Sequence, residues 1–255
     1  MGSGIAALLA EAGNTVQLVE PNKAAWERIQ QRVHKRSAAN PVTITSDLAA
    51  AVTDAQVIIE AAPEVFAIKE TIFRDVDANA PADAIIASNT SELSITALAA
   101  TTNRPAQVAG MHWFNPPERM RLVELIKGLT TSDSTLAVLS EVAERAQKTV
   151  VTVQDVPGFA TTRAMAASVL EGIRMFADGV ATKEDLDTAV KLGLNHPMGP
   201  LELADYIGLD TLLYIAESLE KSFGERFRPP VQLRKLVEAG HLGRKSGQGF
   251  YTYSK

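Results

Sequence analysis

Short apolar runs alternate with stretches of helical spacing over the first 155 residues of the chain. The runs with the length and composition of buried strands are TVQLVE (15–20), VTIT (42–45), AQVIIEAAP (55–63), DAIIASNTS (83–91) and TVVTVQD (149–155). Between them, helical spacing predicts helices at 23–36, 64–76 and 134–147, and Asp47 and Ser94 are placed to cap two shorter ones. Strands that alternate with helices predict a mostly parallel, doubly wound α/β sheet.

The pattern changes after the sequence VPGF at 156–159. Apolar positions from Ala160 to Ala239 follow helical spacing, and strand-like runs disappear. The helices predicted from this spacing are 160–178, 182–191, 200–206, 208–223 and 229–239. We therefore expect two domains, an α/β domain at 1–155 and an all-α domain at 156–255. The glycine-rich end of the chain is expected to pack Phe250 and Tyr253 on the helices.

A further pair of apolar runs, AGMHWF (109–114) and RLVELI (121–126), is separated by a break that contains Pro116 and Pro117. If these runs pair as neighbouring strands, His112 and Glu124 can face each other. A carboxylate beside an imidazole fixes its tautomer and stabilises its protonated form, which makes the pair a candidate general base with its orienting group. The alternative is a surface histidine and an unrelated strand glutamate. Because Glu124 lies inside an apolar run, where a lone carboxylate is costly to bury, the two interpretations are about equally supported by these residues alone.

The beginning of the chain has the pattern of half a dinucleotide-binding unit. A glycine-rich helix start at Gly2 and Gly4 leads to a helix that ends at Gly13, and the strand after it ends in Glu20. An acid at that position binds the adenosine ribose and favours NAD over NADP. The strand and the two glycines that open such a unit are missing. The alternative is that Gly2 and Gly4 belong to a frayed, tag-like terminus.

Composition excludes several other classes of protein. The formal net charge of -5 argues against a general nucleic-acid binder, and the absence of cysteine excludes disulfides and thiolate zinc sites. We predict no metal site. Apolar stretches fall short of the roughly 18 residues of a membrane span, and no signal peptide is evident. We expect a cytoplasmic protein.

Taken together, these blocks resemble the L-3-hydroxyacyl-CoA dehydrogenase family, which includes 3-hydroxybutyryl-CoA dehydrogenases. The resemblance covers essentially the whole chain, in the same order and spacing. The segments that carry it are LVE (18–20), IIEAAPE (58–64), ASNTSELSIT (87–96), GMHWFNPPERMRLVELIKG (110–128), DVPGF (155–159), LGLNHPMGPLELADYIGLD (192–210) and LGRKSGQGFYTY (242–253). It implies a Rossmann-like NAD-binding domain that lacks its first strand, followed by a helical domain for substrate binding and dimerisation.

The resemblance also implies roles for individual residues. His112 takes the proton of a C3 hydroxyl as hydride leaves for NAD, Glu124 holds His112, and Ser91 hydrogen-bonds the substrate oxygen. The resemblance also implies contacts to the cofactor. They come from Gly2 in the glycine-rich helix start and from Glu20, Glu64, Lys69, Ser91, Asn115 and Lys245. Without the family, Ser91 is better interpreted as a cap, and Lys69 and Lys245 as solvated charges. The implied partners are an acyl-CoA substrate of fatty acid β-oxidation and a second copy in a homodimer.

Three departures from the family pattern bear on activity. The opening strand is absent, so we expect the two strands that flank its place to lack backbone partners. Thr162 stands where the family has a substrate-polarising asparagine, and a hydroxyl lacks the reach of an amide. The helical hairpin that holds CoA is shortened between Arg36 and Val42, which leaves Lys35 and Arg36 as candidate contacts to CoA phosphates.

These departures leave alternatives open. We favour the interpretation that the sequence begins at an internal methionine of a longer chain, over a native short form with an impaired nucleotide site. In either case we expect the 255-residue chain to bind NADH weakly. The competing functions are a related 3-hydroxy-acid or carnitine-type dehydrogenase and a non-catalytic protein that has kept the fold.

Overall fold

Helices and strands alternate through the first part of the chain, as the apolar pattern predicts. The computed structural model describes residues 1–37 and 40–253 and divides the chain into two compact units, Met1–Val156 and Pro157–Lys255. The helices of the first unit are α1 (Gly2–Glu11), α2 (Trp26–His34), α3 (Leu48–Val52), α4 (Phe66–Asn79), α5 (Ile95–Ala99) and α6 (Asp133–Arg145). Its strands are β1 (Gln17–Val19), β2 (Thr43–Thr45), β3 (Val57–Glu60), β4 (Ile85–Ser88), β5 (Val108–Trp113), β6 (Leu122–Lys127) and β7 (Thr149–Gln154).

The helix expected at 23–36 is shorter than predicted, because Lys23–Ala25 forms a separate 3-10 turn before α2. The side chain of Asn22 accepts a hydrogen bond from the Ala24 N–H and caps that turn. The two caps expected from the sequence are confirmed, since Asp47 accepts from the Ala50 N–H and Ser94 from the Ala97 N–H.

The larger sheet runs in the order β3-β4-β5-β6-β7. Strands β3, β4 and β5 are parallel, β6 is antiparallel to β5, and β7 is parallel to β6. Strands β4 and β5 are buried along their whole length, which explains why their sequences are continuous apolar runs without alternation. The prediction of a mostly parallel sheet, and of neighbouring strands at 109–114 and 121–126, is confirmed.

Strands β1 and β2 form a separate parallel pair. Within the described residues, no ladder joins this pair to the five-stranded sheet. In the strand order expected for this architecture, the absent strand lies between β1 and β3, so the break in the sheet falls where the sequence predicts it.

One apolar core holds helices α1 and α6 against the larger sheet. Ile5 and Leu8 of α1 share this core with Leu139 of α6 and with Met111 and Leu125 of the sheet. Because β3, β4 and β5 are parallel, their carboxyl ends meet at one edge, and Glu60 pairs in register with Ser88 there. The segments that follow these ends are 61–64, 89–91 and 114–117, and they carry the candidate residues Glu64, Ser91 and Asn115.

The second unit consists of helices, as the spacing predicts. They are α7 (Thr161–Ala177), α8 (Lys183–Gly193), α9 (Pro200–Ile207), α10 (Leu209–Phe223) and α11 (Val231–Glu238). Gly208 separates α9 from α10 with a backbone φ of 102°, a conformation that glycine adopts without strain. No helix in the described ranges combines the length and apolarity needed to cross a membrane.

Two buried carboxylates bind the end of the chain to these helices. Asp205 of α9 accepts hydrogen bonds from the backbone N–H groups of Phe250 and Tyr251, at 2.9 Å each, and from the Tyr253 hydroxyl at 3.0 Å. Asp187 of α8 accepts from the Tyr251 hydroxyl at 2.8 Å. Phe250 lies in the helical core, so the expectation that the tail packs its aromatic side chains on the helices is confirmed.

Candidate active site

His112 and Glu124 are direct partners across the antiparallel strands β5 and β6. The His112 Nδ1 atom lies 2.8 Å from Glu124 Oε2. The Glu124 side chain has no exposed surface, and 9% of the His112 side chain is exposed. The expectation that the two side chains face each other is therefore confirmed. The Phe114 ring packs beside the imidazole, with 4.4 Å between ring centroids.

This geometry determines what the imidazole can do. A carboxylate that accepts a hydrogen bond from Nδ1–H keeps the proton on that nitrogen in the neutral ring. The other nitrogen, Nε2, then has no proton and can accept one. When Nε2 takes up a proton, the buried Glu124 charge balances the imidazolium. The strand pair therefore presents an imidazole that is oriented for proton transfer at Nε2.

Ser91 lies in a turn that follows β4 and is fixed from two sides. Glu64 Oε1 accepts a hydrogen bond from the Ser91 backbone N–H at 3.0 Å and another from the Thr90 hydroxyl. Asn89 Oδ1 accepts from the backbone N–H of Trp113 at 2.9 Å. The turn that carries Ser91 is thus bonded to the strand that carries His112. Ser91 is half-buried, and its contact with a substrate oxygen stays a prediction.

A buried group of charges supports Glu64. Lys69 of α4 has no exposed surface, and its Nζ donates to both oxygens of Glu60, at 2.7 and 2.9 Å, and lies 3.4 Å from Glu64 Oε2. Glu60 also accepts a hydrogen bond from the Ser88 hydroxyl at 2.6 Å. The interpretation of Lys69 as a solvated charge is wrong, because its ammonium is buried among carboxylates that compensate it. Its contact with a cofactor stays a prediction.

Comparisons with known proteins decide the family. A family model described as "3-hydroxyacyl-CoA dehydrogenase, NAD binding domain" matches residues 1–156, and one described as the C-terminal domain matches 158–253. The chain belongs to the 3-hydroxyacyl-CoA dehydrogenase family. A "Probable 3-hydroxybutyryl-CoA dehydrogenase" of Bacillus subtilis is 44% identical over 272 residues, which cover 100% of this chain and 94% of the relative.

Solved structures agree with this assignment. The (S)-3-hydroxybutyryl-CoA dehydrogenase PaaH1 from Ralstonia eutropha superposes with a TM-score of 0.95 at 38% identity, over 100% of this chain and 96% of that one. A dehydrogenase of 5-formyl-3-hydroxy-2-methylpyridine 4-carboxylic acid, described as an NAD+-dependent dismutase, has a TM-score of 0.83 at 32% identity, over 100% and 88% of the two chains. The fold thus serves a CoA thioester dehydrogenase in one case and a pyridine carboxylate dehydrogenase in the other.

The donor set of this dehydrogenase fits a bound NAD. Helix α1 begins at Gly2 with no acidic residue in its first turn and no side-chain cap, so its N-terminal N–H groups suit a phosphate. Glu20 follows β1 and accepts from the Asn22 N–H at 2.9 Å, which orients a carboxylate suited to ribose hydroxyls. Asn115 is exposed just beyond β5, and its expected contact with the nicotinamide stays a prediction.

Gly4, which also belongs to the glycine-rich helix start, has a packing role. A Cβ atom at this position would lie 2.6 Å from Pro117 Cγ and 2.9 Å from Glu118 Oε1. Only glycine therefore permits the close approach of α1 to the segment after β5.

The remaining candidates belong to the second unit or to α2. Thr162 is buried in the first turn of α7. Lys245 forms an ion pair with Asp210, with 2.5 Å between Nζ and Oδ1. Burial on its own raises the pKa of Asp210, but the hydrogen bonds from Lys245 and the Thr211 N–H outweigh that effect and lower it. The lysine is therefore an oriented cation and not a freely solvated one.

The expected CoA contacts are placed less favourably. The Arg36 guanidinium pairs with Glu11, 2.6 Å between Nε and Oε2, so a phosphate has to compete with that carboxylate. Lys35 is exposed at the end of α2. The shortened hairpin includes Ala38 and Ala39, which lie outside the described residues. The Bacillus alignment, which spans 272 residues against 255 in this chain, shows that the relative carries residues that this chain lacks.

Sequence reasoning missed three polar residues, two buried and one half-buried, that organise the first unit. They are Glu60, Asp155 and Lys148. Asp155 accepts from the Ser94 hydroxyl and from the Ile95 and Thr96 N–H groups, and so caps α5. The signal for Glu60 was a carboxylate inside an apolar run, the same signal that identified Glu124.

Proposed function

We propose that this chain interconverts 3-hydroxyacyl-CoA and 3-ketoacyl-CoA thioesters with NAD, on a substrate like 3-hydroxybutyryl-CoA. The observation that carries the proposal is the 2.8 Å contact between the buried carboxylate of Glu124 and Nδ1 of His112. It places an oriented proton acceptor near the carboxyl end of β5, at the sheet edge where ligands bind in open α/β sheets.

The proposed proton transfer uses only the residues of this chain. His112 Nε2 accepts the C3 hydroxyl proton while C3 loses hydride and becomes a carbonyl carbon, and the Glu124 carboxylate balances the imidazolium. When bound, NAD would supply the hydride acceptor for this step. In the opposite direction the imidazolium returns the proton to the oxygen at C3. The Ser91 hydroxyl donates a hydrogen bond to this oxygen, where negative charge develops.

The test is oxidation of NADH in the presence of acetoacetyl-CoA. We expect activity in a chain extended at its N-terminus with a strand and a phosphate loop, and weaker activity in the 255-residue chain. An extended chain that binds NADH but does not reduce acetoacetyl-CoA would refute the proposal. The same extended chain with Glu20→Ala is the control for cofactor binding.

A second candidate is a dehydrogenase of a 3-hydroxy acid or a carnitine-type substrate without CoA. Thr162 and the shorter segment after α2 favour it, and the similarity to a pyridine carboxylate dehydrogenase supports it. A panel of matched substrates with and without the CoA moiety separates the candidates. A preference for 3-hydroxybutyryl-CoA of more than about 100-fold in kcat/KM, about 2.7 kcal/mol of transition-state binding, excludes the second.

We also propose that the helical unit forms a homodimer and that the enzyme serves fatty acid β-oxidation in the cytoplasm. Large apolar side chains of this unit support the dimer: Val180, Leu192, Leu194 and Val231 are 65%, 79%, 65% and 74% exposed. Sedimentation equilibrium tests it, and a monomer at micromolar concentration contradicts it. The similarity to the Bacillus subtilis relative supports the proposed cytoplasmic location. Fractionation of the source cells tests that location.

A further inference from the structure

The loop that follows β5 begins directly after the strand of His112. It starts at Asn115, and the Pro116 carbonyl accepts hydrogen bonds from the backbone N–H groups of Arg119 and Met120, at 3.0 and 3.1 Å. These bonds close a tight turn between β5 and β6. Asn115, the expected nicotinamide contact, lies at the start of this turn, so the position of the turn sets the position of its amide.

A buried lysine from another part of the chain binds this loop. Lys148 lies between α6 and β7 and is 9% exposed. Its Nζ donates to the carbonyl oxygen of Pro117 at 2.7 Å and to that of Met120 at 2.9 Å. The same ammonium lies 5.9 Å from the centre of the Trp113 ring. Trp113 is the immediate neighbour of His112 in β5.

The burial of Lys148 has a cost that these contacts offset. Burial lowers the pKa of its ammonium, and the Arg36 guanidinium lowers it further, while the Glu118 carboxylate raises it. A buried ammonium is stable only where hydrogen-bond acceptors replace water. Here the acceptors are two backbone carbonyls of one turn. Because a single ammonium binds both of them, Lys148 holds the turn in place.

The opposite side of the loop rests on the start of the expected nucleotide helix. Pro117 and Glu118 pack at Gly4 of α1, where no side chain fits. Glu118 Oε1 also accepts a hydrogen bond from Arg32 at 2.7 Å. A shift of the loop therefore moves the surface against which the first turns of α1 pack, as well as the amide of Asn115.

We propose that Lys148 is a positioning residue for the cofactor, which acts by holding the turn of residues 115–120 between β5 and α1. The expected effect on the KM for NADH rests on the proposed function. The anchoring of the loop does not, because it is a property of the fold. Lys148 donates to the loop carbonyls of Pro117 and Met120, so its proposed effect on the site passes through the loop.

The first experiment measures the loop directly by limited trypsin digestion of the 255-residue chain. Arg119 and Arg121 are exposed cleavage sites in and beside the loop. Lys148→Met removes two charge-assisted hydrogen bonds, so we expect cleavage at these sites to accelerate about tenfold or more. If this variant does not fold, Lys148→Gln, which keeps a shorter and uncharged amide donor, is expected to show a smaller acceleration at the same sites.

The matched control is Arg104→Met. Arg104 is another buried cation of this unit that donates to backbone carbonyls, those of Pro81 and Asp77, away from the site. We expect it to lower thermal stability without accelerating cleavage at Arg119 or Arg121. Equal cleavage in Lys148→Met and the wild type, or equal acceleration in the Arg104 control, would overturn the proposal.

The second experiment measures the consequence for the cofactor in the N-terminally extended chain. Lys148→Met is expected to raise the KM for NADH about tenfold and to leave the KM for acetoacetyl-CoA within about twofold. An equal rise in both constants contradicts a cofactor-positioning role. If even the wild type does not reduce acetoacetyl-CoA, the proposed function fails, while the digestion still decides whether Lys148 anchors the loop.

Discussion

At the level of single residues, the His112–Glu124 pair could be predicted from the sequence. The buried ion pair of Lys69 with Glu60 could not. Two apolar runs on either side of a proline break can pair as strands in only a few registers. One of these registers places His112 opposite Glu124. The burial of Lys69 depends on Glu60, nine positions earlier, because the end of the Glu60 strand meets the first turn of α4. Lysine is usually exposed, so no sequence pattern predicts such a contact.

Glu124→Gln tests the electrostatic part of the pair. The amide can still accept a hydrogen bond from His112 Nδ1, but it carries no charge to balance the imidazolium. We expect kcat to fall by about 100- to 1000-fold with the fold retained, within the range attributed to general acid–base catalysis. Steady-state kinetics with circular dichroism provide the measurement, and an unchanged kcat contradicts the role of the carboxylate.

Ser91→Ala tests the proposed contact to the substrate oxygen. The backbone N–H to Glu64 remains, so the turn is expected to persist while kcat falls about 100-fold, as for the loss of one oxyanion donor. Ser94→Ala is the matched control, because that hydroxyl caps α5. The control is expected to lose about 1 kcal/mol of stability and no catalytic rate. Similar kcat values in the two variants argue against a substrate contact.

At the level of elements, periodicity located almost every helix and strand, because apolar spacing reports directly on which face is buried. It missed features set by tertiary contacts. Asp205, for example, reads as one acid in an amphipathic helix, yet it binds three donors from a tail more than 40 residues away. The tail is glycine-rich partly because a Cβ at Gly249 would lie 2.0 Å from Asp205 Oδ1.

The buried ion pair between Asp77 of α4 and Arg104 offers a test of stability against pH. Burial on its own raises the pKa of Asp77, but hydrogen bonds from the Asn103 N–H, from Arg104 and from the Asn103 side chain, together with the Arg104 charge, lower it below 3.8. A folded pKa below the unfolded pKa contributes stability that is fully present above the unfolded pKa and is lost as the pH falls through the folded pKa.

Asp77→Asn is therefore expected to lose about 1.5–3 kcal/mol of unfolding free energy near neutral pH, where the charged hydrogen bond is intact. The deficit relative to the wild type should shrink as the pH falls below the usual carboxyl value. Urea unfolding across this range measures it. A deficit that stays constant into acid shows that the charge of Asp77 is not what stabilises the pair.

At the level of the whole molecule, the sequence predicted a sheet with one strand missing, and the structure contains two sheets that no backbone ladder joins within the described residues. Strand β1 carries Glu20 next to its end, and β3 leads to Glu64. Any cofactor that bridges these residues depends on the alignment of two sheets. The gap between the two sheets does not affect the geometry of the His112–Glu124 pair, because both residues lie in the larger sheet.

The 255-residue chain is accordingly expected to bind NADH weakly. A version extended with a strand and a phosphate loop should bind it at least about tenfold more tightly, about 1.4 kcal/mol. Isothermal titration calorimetry of both chains gives the comparison. Low-micromolar affinity in the shorter chain contradicts the expectation and shows that α1 and Glu20 suffice.

The central claim is that the imidazole at position 112 exchanges a proton with the substrate oxygen. Its most direct test is kcat/KM for acetoacetyl-CoA reduction in His112→Gln, whose amide can still donate a hydrogen bond to Glu124. We expect a loss of about 100- to 10,000-fold with NADH affinity and thermal stability close to those of the wild type. A variant that keeps more than about a third of the wild-type kcat/KM would contradict the account.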